Sequence, residues 1–313
     1  MASEKFILGS RGSQLALKQA NWVKTALERS FPDHSVEVKI IRTSGDVIAD
    51  APLSQIGGKG LFTKEIEEAL LERQIHLAVQ SLKDLPTQLP VGLCLAAITA
   101  REDARDALVS KQFGSLAALP IGARIGTSSL RRQSQLLHLR RDLRILNLRG
   151  NLDTRLRKLE TDQYDGIVLA SAGLIRLGHA DLITAPISVE ELCPAVGQGA
   201  LGIEARSDDT LILEKLQRLN HPETQLAAEA ERAFLRKLGG GCQVPIAGYA
   251  QTAGERFRIQ GVIASPDGLQ LFRDSEEAKV EGSNQAQAVG QKLADKMLAA
   301  GAQAVVDEIF HRI

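Results

Sequence analysis

Cysteine is scarce in this chain. Three occur in 313 residues, at Cys94, Cys193 and Cys242, far apart and without a CxxC pair. An odd, dispersed set makes a poor disulfide framework, so a reducing compartment is expected. Aromatic residues make up only 4%. Stacking platforms for nucleic acid are therefore few. A surplus of one charge is missing as well: Lys+Arg and Asp+Glu are both 38. Chains that coat nucleic acid usually carry a basic excess, so no nucleic-acid partner is expected. Long apolar runs are also missing. Val91 to Ile98 falls far short of the roughly 20 residues that span a bilayer. Phe6 to Leu8 is too short for the core of a signal peptide. The chain reads as cytoplasmic, with no membrane partner. The six histidines form no HExxH, and no Cys/His spacing suits zinc, so no metal is expected.

What is present is a strand–helix alternation. Phe6 to Leu8 reads as a buried strand; Leu15, Ala16, Ala20, Val23 and Leu27 then recur at helical spacing. Val36, Val38 and Ile40 alternate like a strand, as do Ile75, Leu77 and Val79, and Leu93 to Ile98 reads as a fully buried strand. Thr63 is placed to cap a helix running to about Arg73. The pattern restarts after Arg101-Glu102-Asp103. Strands are expected at Arg124 to Gly126, Ile145 to Leu148 and Ile167 to Ala170, and helices after Ser128 or Ser129, near Thr154 and near Leu174. Such alternation implies α/β units with mainly parallel sheets. From about His221 the character changes to a helix, strand-like runs side by side, and an Ala-rich helix from Gln285 to Ala300. That order suggests an α+β third domain.

Charge is uneven although the total is zero. From Arg124 to Lys158 there are ten Lys and Arg against Asp142 and Asp153, a surplus of eight. The arginines stand where ligands collect in open α/β sheets, at the carboxyl ends of strands. Arg131 and Arg132 open a helix beside Ser129, Arg149 follows one strand, and Arg176 follows another. Helix N-termini there offer free N–H groups to anions, and arginine adds a planar fork. The first unit matches: Arg11 and Ser13 follow its first strand, Gly57-Gly58-Lys59-Gly60 is a flexible cationic loop, and Lys83-Asp84 follow the strand ending near Val79. Asp84 has two readings, a plain partner of Lys83 or a carboxylate able to stabilise a developing cation and handle a proton.

Gly197 to Gly202 matches GxGxxG, yet Pro194 precedes it instead of a clear strand. A dinucleotide site requires strand–turn–helix context and is not expected here. Cys242 follows three glycines. It reads either as a small buried hydrophobe or as a covalent attachment point, the latter requiring activation or a very reactive electrophile.

Eight segments together resemble the porphobilinogen deaminase family, also called hydroxymethylbilane synthases. They are SRGSQLALKQ from Ser10, TSGD from Thr43, GGKGLF from Gly57, SLKDLP from Ser81, GTSSLRRQ from Gly126, LRGNLDTR from Leu148, PAVGQGALGIE from Pro194 and LGGGCQVP from Leu238. The resemblance implies a transferase of tetrapyrrole biosynthesis. It condenses four porphobilinogen molecules head to tail with loss of ammonia, then releases a linear tetrapyrrole by hydrolysis. It further implies a covalent dipyrromethane primer on Cys242 through a thioether, and Asp84 as the catalytic carboxylate. Ser13, Lys83, Asp84, Ser129, Arg131, Arg132 and Arg155 would hold the cofactor; Arg11, Lys59, Arg149, Arg155, Arg176 and Gln198 would hold substrate and the linear pyrrole intermediates. Each pyrrole carries an acetate and a propionate, which suits arginines spread over two domains.

The implied fold is α/β: two periplasmic-binding-protein-like lobes with mixed, largely parallel sheets, and a smaller α+β C-terminal domain. Its expected division is residues 1–99 with 200–218, residues 105–193, and residues 222–313. A monomer is expected. The family often has His where this chain has Gln80, and some members have Lys at position 55, here Gln; tuned substrate contacts are expected from both. A non-catalytic small-anion receptor on the same two-lobed fold is the alternative. It leaves Asp84 and Cys242 without a role.

Overall fold

The computed structural model describes residues 4–47, 62–240, 244–254 and 256–311. Lys59 and Cys242, together with Gln55 and the loop from Gly57 to Gly60, lie outside the described residues. The chain opens with β1 (Glu4–Ser10), α1 (Gln14–Ser30), β2 (His34–Ile40), α2 (Ser44–Val47), α3 (Lys64–Leu71), β3 (Leu77–Ser81) and β4 (Leu93–Ile98). A second series follows: β5 (Asp106–Val109), β6 (Arg124–Gly126), α4 (Leu130–Leu139), β7 (Arg144–Leu146), α5 (Leu152–Leu159), β8 (Gly166–Ala170), α6 (Ser171–Leu177) and β9 (Ala185–Pro186). Then come β10 (Leu201–Arg206) and α7 (Thr210–Leu216). The last part holds α8 (Pro222–Lys237), β11 (Ile246–Ala253), β12 (Arg256–Ala264), β13 (Leu271–Ala278), α9 (Ser283–Met297) and α10 (Gln303–His311).

Two five-stranded sheets share one plan. The first has the order β2-β1-β3-β10-β4 and the second β7-β6-β8-β5-β9. In the first, β1 runs parallel to β2 and β3, whereas β10 runs antiparallel to both its neighbours. In the second, β6 runs parallel to β7 and β8, and β5 is antiparallel to β8 and β9. Each antiparallel strand follows a crossing from the other sheet. This is a two-lobed α/β fold with mixed sheets. The C-terminal part adds a smaller antiparallel sheet, β11-β12-β13.

Local sequence explains most elements. In α1, Ser13 caps the helix by accepting from the Ala16 N–H at 3.3 Å, and Ala20, Val23 and Leu27 form the buried stripe. Gln19 shares that buried face because its Nε2 donates to Ser81 Oγ at 3.0 Å, tying α1 to the end of β3. Ser129, not Ser128, caps α4, accepting from the Arg132 N–H. Ser128 donates instead to the Leu148 carbonyl at 2.7 Å. Thr63 occupies the N-cap of α3, but its hydroxyl makes no capping bond. Along the alternation read over Val36 to Ile40, Val36 is buried, Val38 is partly buried against the core and Ile40 is exposed, since β2 is an edge strand. The Ala-rich helix breaks at Gly301, whose φ of +105° separates α9 from α10. In the C-terminal part, Phe234 of α8 is wholly buried among Ile246, Ile259, Ile263 and Leu293. Among the described residues, no helix is long and apolar enough to cross a membrane.

Candidate active site between the lobes

Five strand ends supply the candidate side chains. Ser81 ends β3, and a turn of 3-10 helix from Leu82 to Asp84 carries Lys83 and Asp84 directly after it. Arg11 and Ser13 follow β1, Ser129, Arg131 and Arg132 follow β6, Arg149 follows β7, and Arg176 lies in the last turn of α6 after β8. Arg155 comes from α5 and donates through Nε to the Gly150 carbonyl at 2.9 Å.

The centre of the arrangement is a residue that sequence reasoning passed over. Asp106, the first residue of β5, has no solvent exposure. Its Oδ2 lies 2.8 Å from Arg131 Nη1, and its Oδ1 lies 2.7 Å from Arg132 Nη2. Arg132 Nε also donates to Oδ1 at 3.1 Å, and Gln198 Nε2 donates to the same oxygen at 2.9 Å. Gln198 Oε1 in turn accepts from Lys83 Nζ at 3.3 Å. Burial would push the Asp106 acid up, but the two guanidinium groups outweigh it and hold the carboxyl well below the usual range. The basic surplus of the sequence is thus partly met from outside its own segment, by Asp106 and by Asp165, which binds Arg124 at 2.9 Å.

The electrostatics join the lobes. Burial pushes the Lys83 ammonium down to about 8; Arg132 and Arg131 add to this, while Asp84 and Asp106 oppose it. Although the lysine side chain keeps some solvent contact, the atoms crowding its ammonium group dominate that balance. Burial likewise lowers Arg155 to about 10, with Arg132 and Arg149 adding and Asp84 opposing. Asp84 itself is exposed and acts on cations of both lobes, Lys83 from the first and Arg155 from the second. Several neighbouring cations depressed by burial mark a candidate site for an anionic group.

Other candidates are placed differently. Arg176 Nη2 donates to the Gly199 carbonyl at 2.5 Å, so this arginine braces the return crossing. Burial lowers its pKa and Glu102 opposes that. Arg11 stacks over the Phe62 ring at 4.1 Å. Gln80 does not face substrate: it is buried and donates to Glu204 Oε1 at 2.9 Å. Gln80 therefore bears on the core of the first lobe, where tuning of substrate contacts was expected. The GxGxxG segment is a crossing and the start of β10. Gly199 has φ +92°, and a Cβ there would stand 2.3 Å from the Glu102 carbonyl oxygen. Only glycine lets the two crossings touch so closely.

Fold and site define a two-lobed α/β protein with a dense cationic cluster and one exposed carboxylate where its lobes meet. A family model described as "Porphobilinogen deaminase, dipyromethane cofactor binding domain" matches residues 6–214, and one described as "Porphobilinogen deaminase, C-terminal domain" matches residues 225–299. The porphobilinogen deaminase of Pelobacter propionicus is 49% identical over 312 residues, covering 100% of this chain and 99% of its own. That of Trichlorobacter lovleyi is 50% identical over 313 residues, covering 100% and 99%. Among solved structures, the methionine-binding protein MetQ is similar over 69% of this chain and 88% of its own, at a TM-score of 0.43 and 15% identity. The chain belongs to the porphobilinogen deaminase family.

Proposed function

We propose that this chain joins four porphobilinogen molecules head to tail, releasing ammonia at each step, and frees hydroxymethylbilane by hydrolysis. The observation that carries this reading is Asp84, exposed and electrostatically linked to Lys83 and Arg155 from opposite lobes. Family membership favours it over a non-catalytic anion receptor, which would give Asp84 no task.

The dipyrromethane of this family is an anionic group, and the residues present fit it. Lys83, Arg132 and Arg155 are cations depressed chiefly by burial, and a carboxylate beside them would relieve that depression. Ser13 and Ser129 cap α1 and α4 by accepting backbone N–H bonds, which leaves each hydroxyl its proton to donate. When bound, the group supplies the pyrrole carbon on which the chain is extended. Attachment would be through the Cys242 thiol. Neither described cysteine is a good rival: Cys193 is buried and its thiol is pushed up to about 12, and burial also raises Cys94.

The chain's own residues then have distinct tasks. Arg11, Lys59, Arg149, Arg155 and Arg176 orient the acetate and propionate groups of substrate and growing chain, and Gln198, wholly buried, supports them through Lys83. Asp84 faces the pyrrole N–H groups. When the C–N bond of porphobilinogen breaks, Asp84 delivers a proton to the departing amine; its carboxylate stabilises the cationic carbon left behind and then accepts the ring proton released as the new C–C bond forms. The lobes 1–99 with 200–218 and 105–193 provide the two walls, and residues 222–313 bring the cysteine loop. Sheet membership supports this division. Porphobilinogen and linear pyrroles are the ligands, and the protein acts as a cytoplasmic monomer.

The test is intact denatured mass with peptide mapping around Cys242, followed by incubation with porphobilinogen. Two linked pyrrole units on Cys242, with ammonia release on incubation, are expected. An unmodified cysteine that neither gains mass nor releases ammonia would overturn the reading.

A further inference from the structure

We propose that Asp106 is the positioning residue of this site: it holds Arg131, Arg132 and Gln198 in one arrangement and, through Gln198, places Lys83. The inference rests on the function proposed above and assigns a task to a residue outside the expected site.

The geometry carries it. Consecutive residues of a helix project about 100° apart. Arg131 and Arg132 would therefore diverge, and two like charges would favour that. Instead both turn toward one carboxylate and bind different oxygens of it, at 2.8 and 2.7 Å. Each is then fixed by a backbone carbonyl: Arg131 Nη1 donates to Cys193 at 2.7 Å and Arg132 Nη1 to Val168 at 3.1 Å. Gln198, wholly buried, donates to Asp106 Oδ1 and to the Ala104 carbonyl at 2.7 Å, which aims its Oε1 at Lys83. Asp106 thus stands where both crossings reach the site, since β5 begins just after the first and Gln198 lies on the second.

Its charge matters as much as its shape. Asp84, Arg131, Arg132 and Asp106 all act on the Lys83 ammonium. Without Asp106, Lys83, Arg131 and Arg132 would share a buried neighbourhood that has lost one of its opposing carboxylates. Buried cations pay heavily for a lost partner. A defined spacing of guanidinium groups is what a ligand bearing two carboxylates per ring requires.

The test compares wild type with Asp106→Asn, an isostere that removes the charge. KM for porphobilinogen is expected to rise about tenfold to a hundredfold. The alkaline limb of kcat/KM is expected to move to lower pH, because a charge that supports the protonated Lys83 is gone. NMR titration of the Lys83 Nζ signal reads the same coupling without turnover. Asp165→Asn is the control: it breaks an ion pair with Arg124 in the same lobe and should leave both the limb and the Lys83 titration in place. Gln198→Met keeps the Asp106 charge but removes the bonds to Lys83, to Asp106 and to the Ala104 carbonyl; a severalfold rise in KM is expected. Unchanged KM, limb and Lys83 titration in folded Asp106→Asn would overturn the proposal. So would unchanged KM in Gln198→Met, should Asp106→Asn not fold. A wild type that does not turn over porphobilinogen, yet shows the Lys83 shift on substitution, would sink the function and leave the positioning role standing.

Discussion

Arg101 Nη2 lies 2.8 Å from Oε1 of Glu231, a carboxylate with no solvent exposure on α8. The pair fastens the first crossing between the lobes to the helix that leads toward the cysteine loop. Glu231 also accepts from the Gly197 N–H at 2.7 Å and the Ala250 N–H at 2.8 Å, so one side chain holds both crossings and β11. In Glu231→Gln, Arg101 loses its counter-charge and one oxygen becomes an N–H donor. A loss of about 3–5 kcal/mol is expected in urea unfolding. A change under about 1 kcal/mol would mean that neighbouring groups take over the pairing.

Asp84 is exposed, so its removal should leave the fold intact. In Asp84→Asn the far-ultraviolet circular dichroism and melting temperature should match wild type. Turnover of porphobilinogen should fall about a hundredfold or more, as when a charge aimed at a transition state is lost. Near-normal turnover would remove Asp84 from the chemistry.

Lys83 sets a pH limit. It binds carboxylates only when protonated, and its pKa is pushed down to about 8. Activity should therefore be full well below that value and fall as pH rises through it. In Lys83→Arg the limb should move to much higher pH, because arginine stays charged. A limb at the same place in that variant would assign it to another group.

Glu204 gives a stability test of opposite kind. Burial, with Glu67 nearby, raises its pKa to about 8, while Gln80 and Arg232 oppose the shift. The folded state therefore holds the proton that the unfolded chain releases near its ordinary value. Stability from this group is complete at acid pH and is lost as pH rises toward about 8. Glu204→Gln should flatten that slope and stabilise the protein at pH 8 by about 1–3 kcal/mol, measured by urea unfolding at two pH values.

Gly199→Ala should be severe for its size. Its φ of +92° and the Glu102 carbonyl 2.3 Å from a Cβ leave no room for a methyl group. A cost of at least about 1–3 kcal/mol is expected, with Arg176 losing its carbonyl acceptor as the crossing shifts. Wild-type stability would show that the crossings can separate freely.

The helices were legible because their cues are local. A cap at Ser13 and the stripe Ala20, Val23 and Leu27 predict α1 without reference to any other element. The strand ends bearing Lys83, Arg131 and Arg149 were legible for the same reason. Asp106 was not, because its meaning depends on arginines brought to it by another strand and helix. β5 has only four residues, and its pairing with β8 is long-range. The return of residues 200–218 to the first lobe was implied only by resemblance, since the partners of β10, β3 and β4, come from far upstream. Gln80 was expected, by resemblance, to tune substrate contacts, but strand alternation turns it inward to Glu204.

The placement of β10 also bears on how the chain is made. β10 lies between β3 and β4, yet it is synthesised only after every strand of the second sheet. Until Arg206 has left the ribosome, β3 and β4 each present an open edge, while the second sheet, contiguous from Asp106 to Pro186, has all its strands. The lobe begun first is completed last. A nascent chain paused before Leu201 carries one whole sheet and one split in two.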